Sequence, residues 1–264
     1  MDFPISIAAI GRVSNLGDLY DLRSEKFLPL SLFKKPLNNS MITTTGKSNT
    51  KLKYAFENTF KEKFDNFDIS AELRVSILSG MLELEGSGKY FKDKKKIEKS
   101  TKVSLIQSFS TVVQSISFTD ERIKELVDIN MLTRLSNLAT HVVAKIQWGG
   151  KVCISVEDTN FEDKEKQEIE GSLKLKINNI MNFISGSGSG SVGISQVDRK
   201  KMENFLFDII GDIVPDEAPT SLFQAVNFMK ETPKLVKEAN EGKGKPIKYE
   251  LLPISFLFKL MKIK

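Results

Sequence analysis

The amino-acid sequence predicts a protein of the α+β class, and three observations support this prediction. Residues 139–150, ATHVVAKIQWGG, favour a buried strand because β-branched and aromatic side chains are frequent among them. Residues 119–138 and 220–240 each place apolar side chains at helical spacing after a residue that can cap a helix. Residues 248–258, KYELLPISFLF, predict a further strand.

The N-terminal part of the chain predicts shorter elements. Residues 5–33 alternate apolar pieces with turns, which indicates strands and a short helix. Residues 36–50, PLNNSMITTTGKSNT, are interpreted as a polar connection, and residues 51–67 fit the periods of both a helix and a strand. Towards the C-terminus, Pro233 is expected to kink or shorten the helix predicted over residues 220–240.

The composition constrains the class of partner. The net charge is +5 at pH 7, and most of the basic residues are lysine. Arginine is the usual residue for base and phosphate forks, so a nucleic-acid partner is not expected. Lysine suits an anionic membrane surface, and plain solubility is the alternative explanation. The single cysteine, Cys153, lies in an apolar run and is predicted to be a core residue.

The chain shows no segment that would direct it into or across a membrane. Its first residues, MDFPISIAAIGR, lack a basic segment followed by a long apolar one, so no signal peptide is expected. No apolar run reaches the roughly 18 residues of a membrane-spanning helix. We therefore expect a soluble monomer that is cytoplasmic or exported without a leader.

Residues 69–91 satisfy two periods at once. In ISAELRVSI the apolar side chains alternate with polar ones, as in a strand: Ile69, Ala71, Leu73, Val75 and Ile77. Ile69, Leu73 and Ile77 are also spaced by four, as on one face of a helix. After Gly80 the alternation resumes in the other phase with Leu82 and Leu84.

Residues 168–184, EIEGSLKLKINNIMNFI, show the same double pattern. The apolar positions of the strand period are Ile169, Gly171, Leu173, Leu175, Ile177, Met181 and Phe183. A helical stripe is formed by Ile169, Leu173, Ile177, Ile180 and Ile184. A bilayer-spanning strand needs such alternation over about 9–11 residues, whereas a helix on a sheet needs only the 3.6 period. An ordinary half-solvated strand or an amphipathic helix is the alternative for each stretch.

Thr140 and His141 are followed, after seven residues, by Gly149 and Gly150. This arrangement resembles the signature of the MACPF/CDC superfamily of perforin-like and cholesterol-dependent pore formers. The sequence departs from that signature at Leu138, Ala139 and Val142.

Longer stretches resemble the N-terminal domain of the stonefish toxin (stonustoxin) family. Residues 10–29, 69–96, 139–150 and 221–253 follow the order of that family and span nearly the whole chain. The resemblance implies one pore-forming domain over residues 1–264. Toxin subunits of that family carry further C-terminal domains.

The resemblance implies a bent, twisted four-stranded antiparallel sheet flanked by two helical clusters, residues 69–96 and 160–197. Its strands would lie near 51–67, 100–118, 140–158 and 202–214. On that basis Gly149, Gly150 and Gly211 are expected to set the bend of the sheet, with a plain bulge or turn as the alternative. His141 is expected to form a structural hydrogen bond beside the bend.

The implied function is pore formation on a lipid membrane, in which the two clusters refold into β-hairpins of a transmembrane barrel. One chain cannot close such a barrel, so a homo-oligomeric ring is required, with or without a sister subunit. The expected inserting residues are Ile69, Leu73, Val75, Ile77, Leu82 and Leu84 in the first cluster, and Ile169, Leu173, Leu175, Ile177, Met181 and Phe183 in the second. A non-lytic interaction module is the alternative. The sequence contains no motif for a catalytic residue, metal or cofactor, so no enzyme is expected.

Overall fold

The computed structural model of the chain describes residues 3–56, 64–82, 84–92, 102–135, 137–158, 174, 177–184, 205–213, 215–238 and 240–260. Its strands are β1 Ile5–Ala8, β2 Asp18–Asp21, β3 Lys26–Ser31, β4 Thr43–Phe56, β5 Lys102–Ser115, β6 His141–Asp158, β7 Phe205–Gly211 and β8 Lys245–Pro253. Its helices are α1 Ala71–Leu78, α2 Glu121–Leu126, α3 Ile129–Leu135, α4 Leu222–Glu238 and α5 Ile254–Leu260. Residues 177–184 are also helical, and Gly86–Lys92 form a 3₁₀ helix.

The α+β class and the antiparallel sheet are confirmed. Strands β4, β5, β6 and β7 lie side by side in that order, each antiparallel to the next. They correspond to the four strands that the resemblance implied. The third of these, β6, differs by one residue at its start from the predicted range 140–158.

The sheet is larger than the predicted four strands, because the short N-terminal strands and β8 also join it. The first half of β6 pairs with β8, and β1 pairs with the far side of β8. The second half of β6 pairs instead with β7. Strand β2 pairs with the first two residues of β6 and carries β3 on its other side. β6 is therefore the strand shared by both halves of the sheet.

Strand β4, the first of the central strands, differs from its predicted bounds at both ends. The polar residues Thr43–Thr50 were predicted to be a connection but form the first part of β4. Threonine is β-branched, and a strand with exposed side chains tolerates polar residues at each position. At the other end the described part of β4 extends to Phe56, and residues 64–66 are helical. Residues 51–67, which fit both the helical and the strand period, therefore include the end of a strand and part of a helix.

Other element boundaries also differ from the predictions. Residues 119–138 contain two helices, because Val127 has an extended backbone and bridges to Phe33. Residues 248–258 contain a strand only as far as Pro253, after which α5 begins and buries Ile254 and Leu257. Helix α4 contains Pro233 but continues beyond it to Glu238, so the proline does not shorten the helix.

The central strands have two unlike faces. One face, here called the first face, carries the in-register rows Lys53–Ile106–Cys153–Ile210 and Ala55–Ser104–Ser155–Asp208. The other, the second face, carries the apolar row Tyr54–Leu105–Ile154–Ile209. Residues of the first cluster pack on the first face, and residues 177–184 together with α4 pack on the second. The sheet therefore lies between the two clusters.

Candidate functional site

A line of irregular strand pairing crosses the sheet at Gly149. The register shifts between Gly46 and Asn49 in β4, and between Ser110 and Val113 in β5. These steps are adjacent, because Gly46 pairs with Val112 and Ser110 pairs with Gly149. A third shift separates Gln147 from Trp148, where β6 pairs with β8. We call these three steps the bulge line. Bulges bend strands and increase their twist.

Gly149 lies where two other backbones approach β6 very closely. A Cβ atom at this position would fall 1.9 Å from the carbonyl oxygen of Phe109. A Cβ atom on Gly244, just before β8, would fall 2.2 Å from the carbonyl oxygen of Gly149. Neither contact is possible for a side chain, so the geometry of the bulge line requires glycine here.

The other two predicted bend residues lie near the position where the pairing partner of β6 changes from β8 to β7. Gly150 follows Gly149 in β6 and pairs with Phe109. Gly211 is the last residue of β7 and pairs with Val152. Hydroxyl groups also hold the bulges: Ser110 Oγ donates to the Lys47 carbonyl oxygen at 2.6 Å, and Thr111 Oγ1 donates to the Lys243 carbonyl oxygen at 2.6 Å.

Thr140 precedes β6 and His141 is its first residue, nine and eight positions before Gly149, so neither lies beside the bulge line. The hydroxyl of Thr140 accepts from the backbone N–H of Leu22 at 2.8 Å. The Nδ1 atom of His141 forms a hydrogen bond with that same hydroxyl at 2.9 Å. Burial lowers the pKa of His141, so the imidazole is neutral at pH 7. This pair joins β6 to the N-terminal strands.

The first cluster is docked as a helix. Ser70 caps α1 by accepting from the backbone N–H of Leu73 at 3.3 Å. Ile69, Leu73 and Ile77 are buried against the first face, together with an aromatic group of Phe64, Phe67, Tyr90 and Phe91. Leu84 is buried, Leu82 is half-buried, and Val75 is 64% exposed. The helical period is thus the one that this structure uses.

Polar contacts between the first cluster and the sheet were not predicted. Tyr90 Oη donates to Ser104 Oγ at 2.8 Å, and Ser104 Oγ lies 3.0 Å from Ser155 Oγ on the neighbouring strand. Their sequence signal was the regular placement of serine on one face of the predicted strands. These three hydroxyls are buried and satisfy one another.

Asp212, just after β7, forms the second polar connection. Its carboxylate accepts from the backbone N–H of Ser87 at 2.9 Å and from that of Lys151 at 2.9 Å. Burial raises the pKa of Asp212, although these hydrogen bonds oppose the shift. Burial lowers the pKa of Lys151, whose Nζ lies 5.0 Å from the centre of the Phe67 ring. No sequence motif indicated this connection, because its residues come from three distant segments.

The second cluster is described only in part. Ile177, Ile180 and Ile184 are buried against α4 and the second face, and Met181 and Phe183 are half-buried. The Nζ atom of Lys230 lies 4.1 Å from the centre of the Phe183 ring. The predicted residues Ile169, Leu173 and Leu175 lie outside the described residues.

The described residues contain no group of three or more histidine, cysteine, aspartate or glutamate residues that could hold a metal ion. Among the same residues, no helix is both long enough and apolar enough to span a membrane.

An antiparallel sheet interrupted by a bulge line, with a helical cluster on each face, defines a MACPF/CDC-like domain. The sequence model of the family described as "SNTX, MACPF/CDC-like domain" matches residues 4–263, and the chain belongs to this family.

Similar proteins agree with this assignment. The chain is 30% identical over 258 residues to cytolytic toxin-alpha of Scorpaena plumieri, covering 97% of this chain and 36% of that protein. It is 30% identical over 255 residues to stonustoxin subunit alpha of Synanceia horrida, covering 96% of this chain and 36% of that protein. A solved structure of stonustoxin superposes with a TM-score of 0.68 at 21% identity, covering 98% of this chain and 33% of the other, and so shares the fold. The chain spans about a third of the length of these relatives.

Proposed function

We propose that this domain forms pores in lipid membranes by refolding its two helical clusters into β-hairpins of a shared transmembrane barrel. The observation that carries the proposal is the mismatch between what α1 buries and what its sequence keeps apolar. In the helix, Ala71 and Val75 face solvent, so docking does not require them to be apolar. In an extended strand they join Ile69, Leu73 and Ile77 in one row without a charge, as a lipid-facing strand requires.

The chemistry of the first face supports release of the first cluster. When the cluster leaves, Ser104, Ser155, Lys53 and Lys151 become exposed to water, together with the apolar Ile106 and Cys153 of the same face. Water solvates hydroxyl and ammonium groups well, and Lys151 regains the hydration that burial removes. The apolar second face keeps α4 against it even if residues 177–184 leave. The sheet therefore retains cover for its apolar face while the first face opens.

The strand order supports assembly. Within the described part of the chain, β4 pairs only with β5 and β7 pairs only with β6, which leaves one free edge on each strand. We propose that residues 1–264 act as one unit and that residues 69–96 and 160–197 extend these four strands as hairpins. Four strands cannot close a barrel that spans a membrane with a pore, so several copies must pair edge to edge.

The relatives bear on partner and target. One relative is named a cytolytic toxin, and two others are named the alpha and beta subunits of neoverrucotoxin. We propose a ring of copies of this chain that acts on the membrane of a target cell. A ring that alternates with a sister subunit is the second candidate. If the chain binds liposomes without releasing dye and release begins only when such a subunit is added, the alternating ring is favoured.

A reversible disulfide lock tests the proposal. A Cβ atom on Gly86 would lie 3.4 Å from the Cα atom of Asp212, so cysteines at these two positions would be neighbours; the positive φ of Gly86, +47°, strains any side chain there, which makes the reduced variant the necessary control. The oxidised Gly86→Cys/Asp212→Cys variant is expected to bind liposomes but release no trapped dye, because the first cluster cannot leave the sheet. The matched control is the same variant after reduction, which is expected to release dye.

Two results would contradict pore formation by this route. Dye release by the oxidised lock would show that the first cluster need not leave the sheet. Liposome binding without release by both the wild-type chain and the reduced variant would favour the non-lytic interaction module.

A further inference from the structure

A half-open cavity of about 460 Å³ lies between β6 and the segment that links β3 to β4. No described residue of either helical cluster contributes to its lining. Its volume is that of sites that hold small organic molecules. Trp148, which lines it, is the residue before Gly149, so the cavity borders the bulge line.

One side of the cavity is apolar. Six apolar side chains line it: Leu16, Phe33, Leu37, Ile42, Ile146 and Trp148. Three of them, Leu37, Ile42 and Trp148, are only partly covered by the rest of the protein. A bound apolar chain would remove this surface from water, which is favourable.

The charges around the cavity favour an anion. Lys34 and Lys35 line it with exposed side chains, and neither forms an ion pair with another described residue. The one carboxylate in the lining, Asp18, already accepts from Ser14 Oγ at 3.0 Å and from the backbone N–H of Asn15 at 2.6 Å. The two ammonium groups are therefore the charges available to a ligand.

We propose that this cavity binds the anion of a straight-chain fatty acid. The apolar tail packs against Leu37, Ile42 and Trp148, and the carboxylate lies beside Lys34 and Lys35. The proposal concerns a free fatty-acid anion that binds to the folded chain in solution. It does not depend on pore formation, because occupancy of the cavity is measured without a membrane.

Trp148 is the only tryptophan in the sequence, so tryptophan emission reports directly on the cavity. We expect a bromine-labelled decanoate, below its micelle concentration, to quench this emission with a saturable curve. Unlabelled decanoate should compete for the same site and reverse the quenching. Decyltrimethylammonium has an equally long chain with the opposite charge, so it should compete far less well.

Exposed lysines allow a variant with little risk to the fold. Lys34→Glu/Lys35→Glu is expected to weaken decanoate binding by about tenfold, because two attractive charges become repulsive at a solvent-exposed mouth. The matched control is Lys26→Glu/Lys237→Glu, which makes the same change in net charge at exposed residues outside the cavity. This control should bind decanoate within about twofold of the wild-type chain.

Two results would overturn the proposal. An absence of saturable quenching in the wild-type chain would show that the cavity does not take a fatty-acid chain. Equal competition by decanoate, decanol and decyltrimethylammonium, with no effect of Lys34→Glu/Lys35→Glu, would show that the cavity accepts apolar chains regardless of charge.

Discussion

Gly149 is a residue at which the close approach of neighbouring backbones leaves no room for a side chain. The carbonyl oxygen of Phe109 lies on one side and the backbone near Gly244 on the other. Gly46 belongs to the same bulge line, yet a Cβ atom there would meet nothing within 4 Å. Glycine at Gly46 thus has no steric explanation, whereas glycine at Gly149 does.

We therefore expect Gly149→Ala to lower the free energy of unfolding by about 2–4 kcal/mol, because the new methyl group forces β5 and β6 apart. The matched control Gly46→Ala should change it by less than about 0.5 kcal/mol. Urea unfolding followed by circular dichroism measures both values. Equal effects of the two substitutions would contradict the close-approach explanation.

At the scale of elements, the sequence predicted strands and helices most accurately in segments that fit either the strand period or the helical period but not both. Strand β6 begins two residues after the strand start that the β-branched residues of 139–150 predicted, and one residue after the start that the resemblance implied. The start of β4 was missed because its threonines and lysines face solvent and lack an apolar period. Helix α5 was missed because Ile254 and Leu257, which make it helical, also fit a continued strand.

The connections between elements were less predictable than the elements. The carboxylate of Asp212 joins Ser87 to Lys151, and a pairing across such sequence distances leaves no local pattern. The sequence also did not predict which of the proposed inserting residues are buried together. Ile69, Leu73 and Ile77 are buried together, whereas Val75 is exposed, because a helix and a strand place different residues on one side.

Val75 allows the refolding of α1 to be tested separately from its docking. Val75→Asp places a charge on an exposed position of the helix, so the free energy of unfolding should change by less than about 0.5 kcal/mol. In a membrane-spanning strand the same charge faces lipid, so dye release should fall by at least about tenfold. Liposome leakage and urea unfolding of the same preparation provide the two measurements.

The charge-matched control for this test is Leu78→Asp. Leu78 is 56% exposed in the helix, and its even position places it on the opposite side of an extended strand, with Ser76 and Arg74. Leu78→Asp should therefore leave dye release within about threefold of wild type, since the barrel interior accepts polar groups. If both variants lose release equally, residues 69–77 do not form a lipid-facing strand.

At the scale of the whole molecule, most of the core lies apart from the segments that would move in the proposed refolding. The core around β2, β8 and α5 contains no described residue of either cluster, whereas Ala8 of β1 and Ile10 pack with the first cluster. The two clusters occupy opposite faces of the other half of the sheet, beyond the bulge line. One chain can therefore open both faces at that end while its other end stays folded.

Because each chain would supply only part of the barrel wall, one chain that cannot open should disable the ring that contains it. We expect an equal mixture of wild-type chains and the oxidised Gly86→Cys/Asp212→Cys lock to release much less than half the dye that wild-type chains release alone. Adding reductant to the mixture should restore release, and replacing the lock with buffer provides the dilution control. Dye release from the mixture equal to that of the dilution control would mean that locked chains do not enter rings. Such a result would contradict assembly before insertion, because locked chains expose the same free edges of β4 and β7 as open ones.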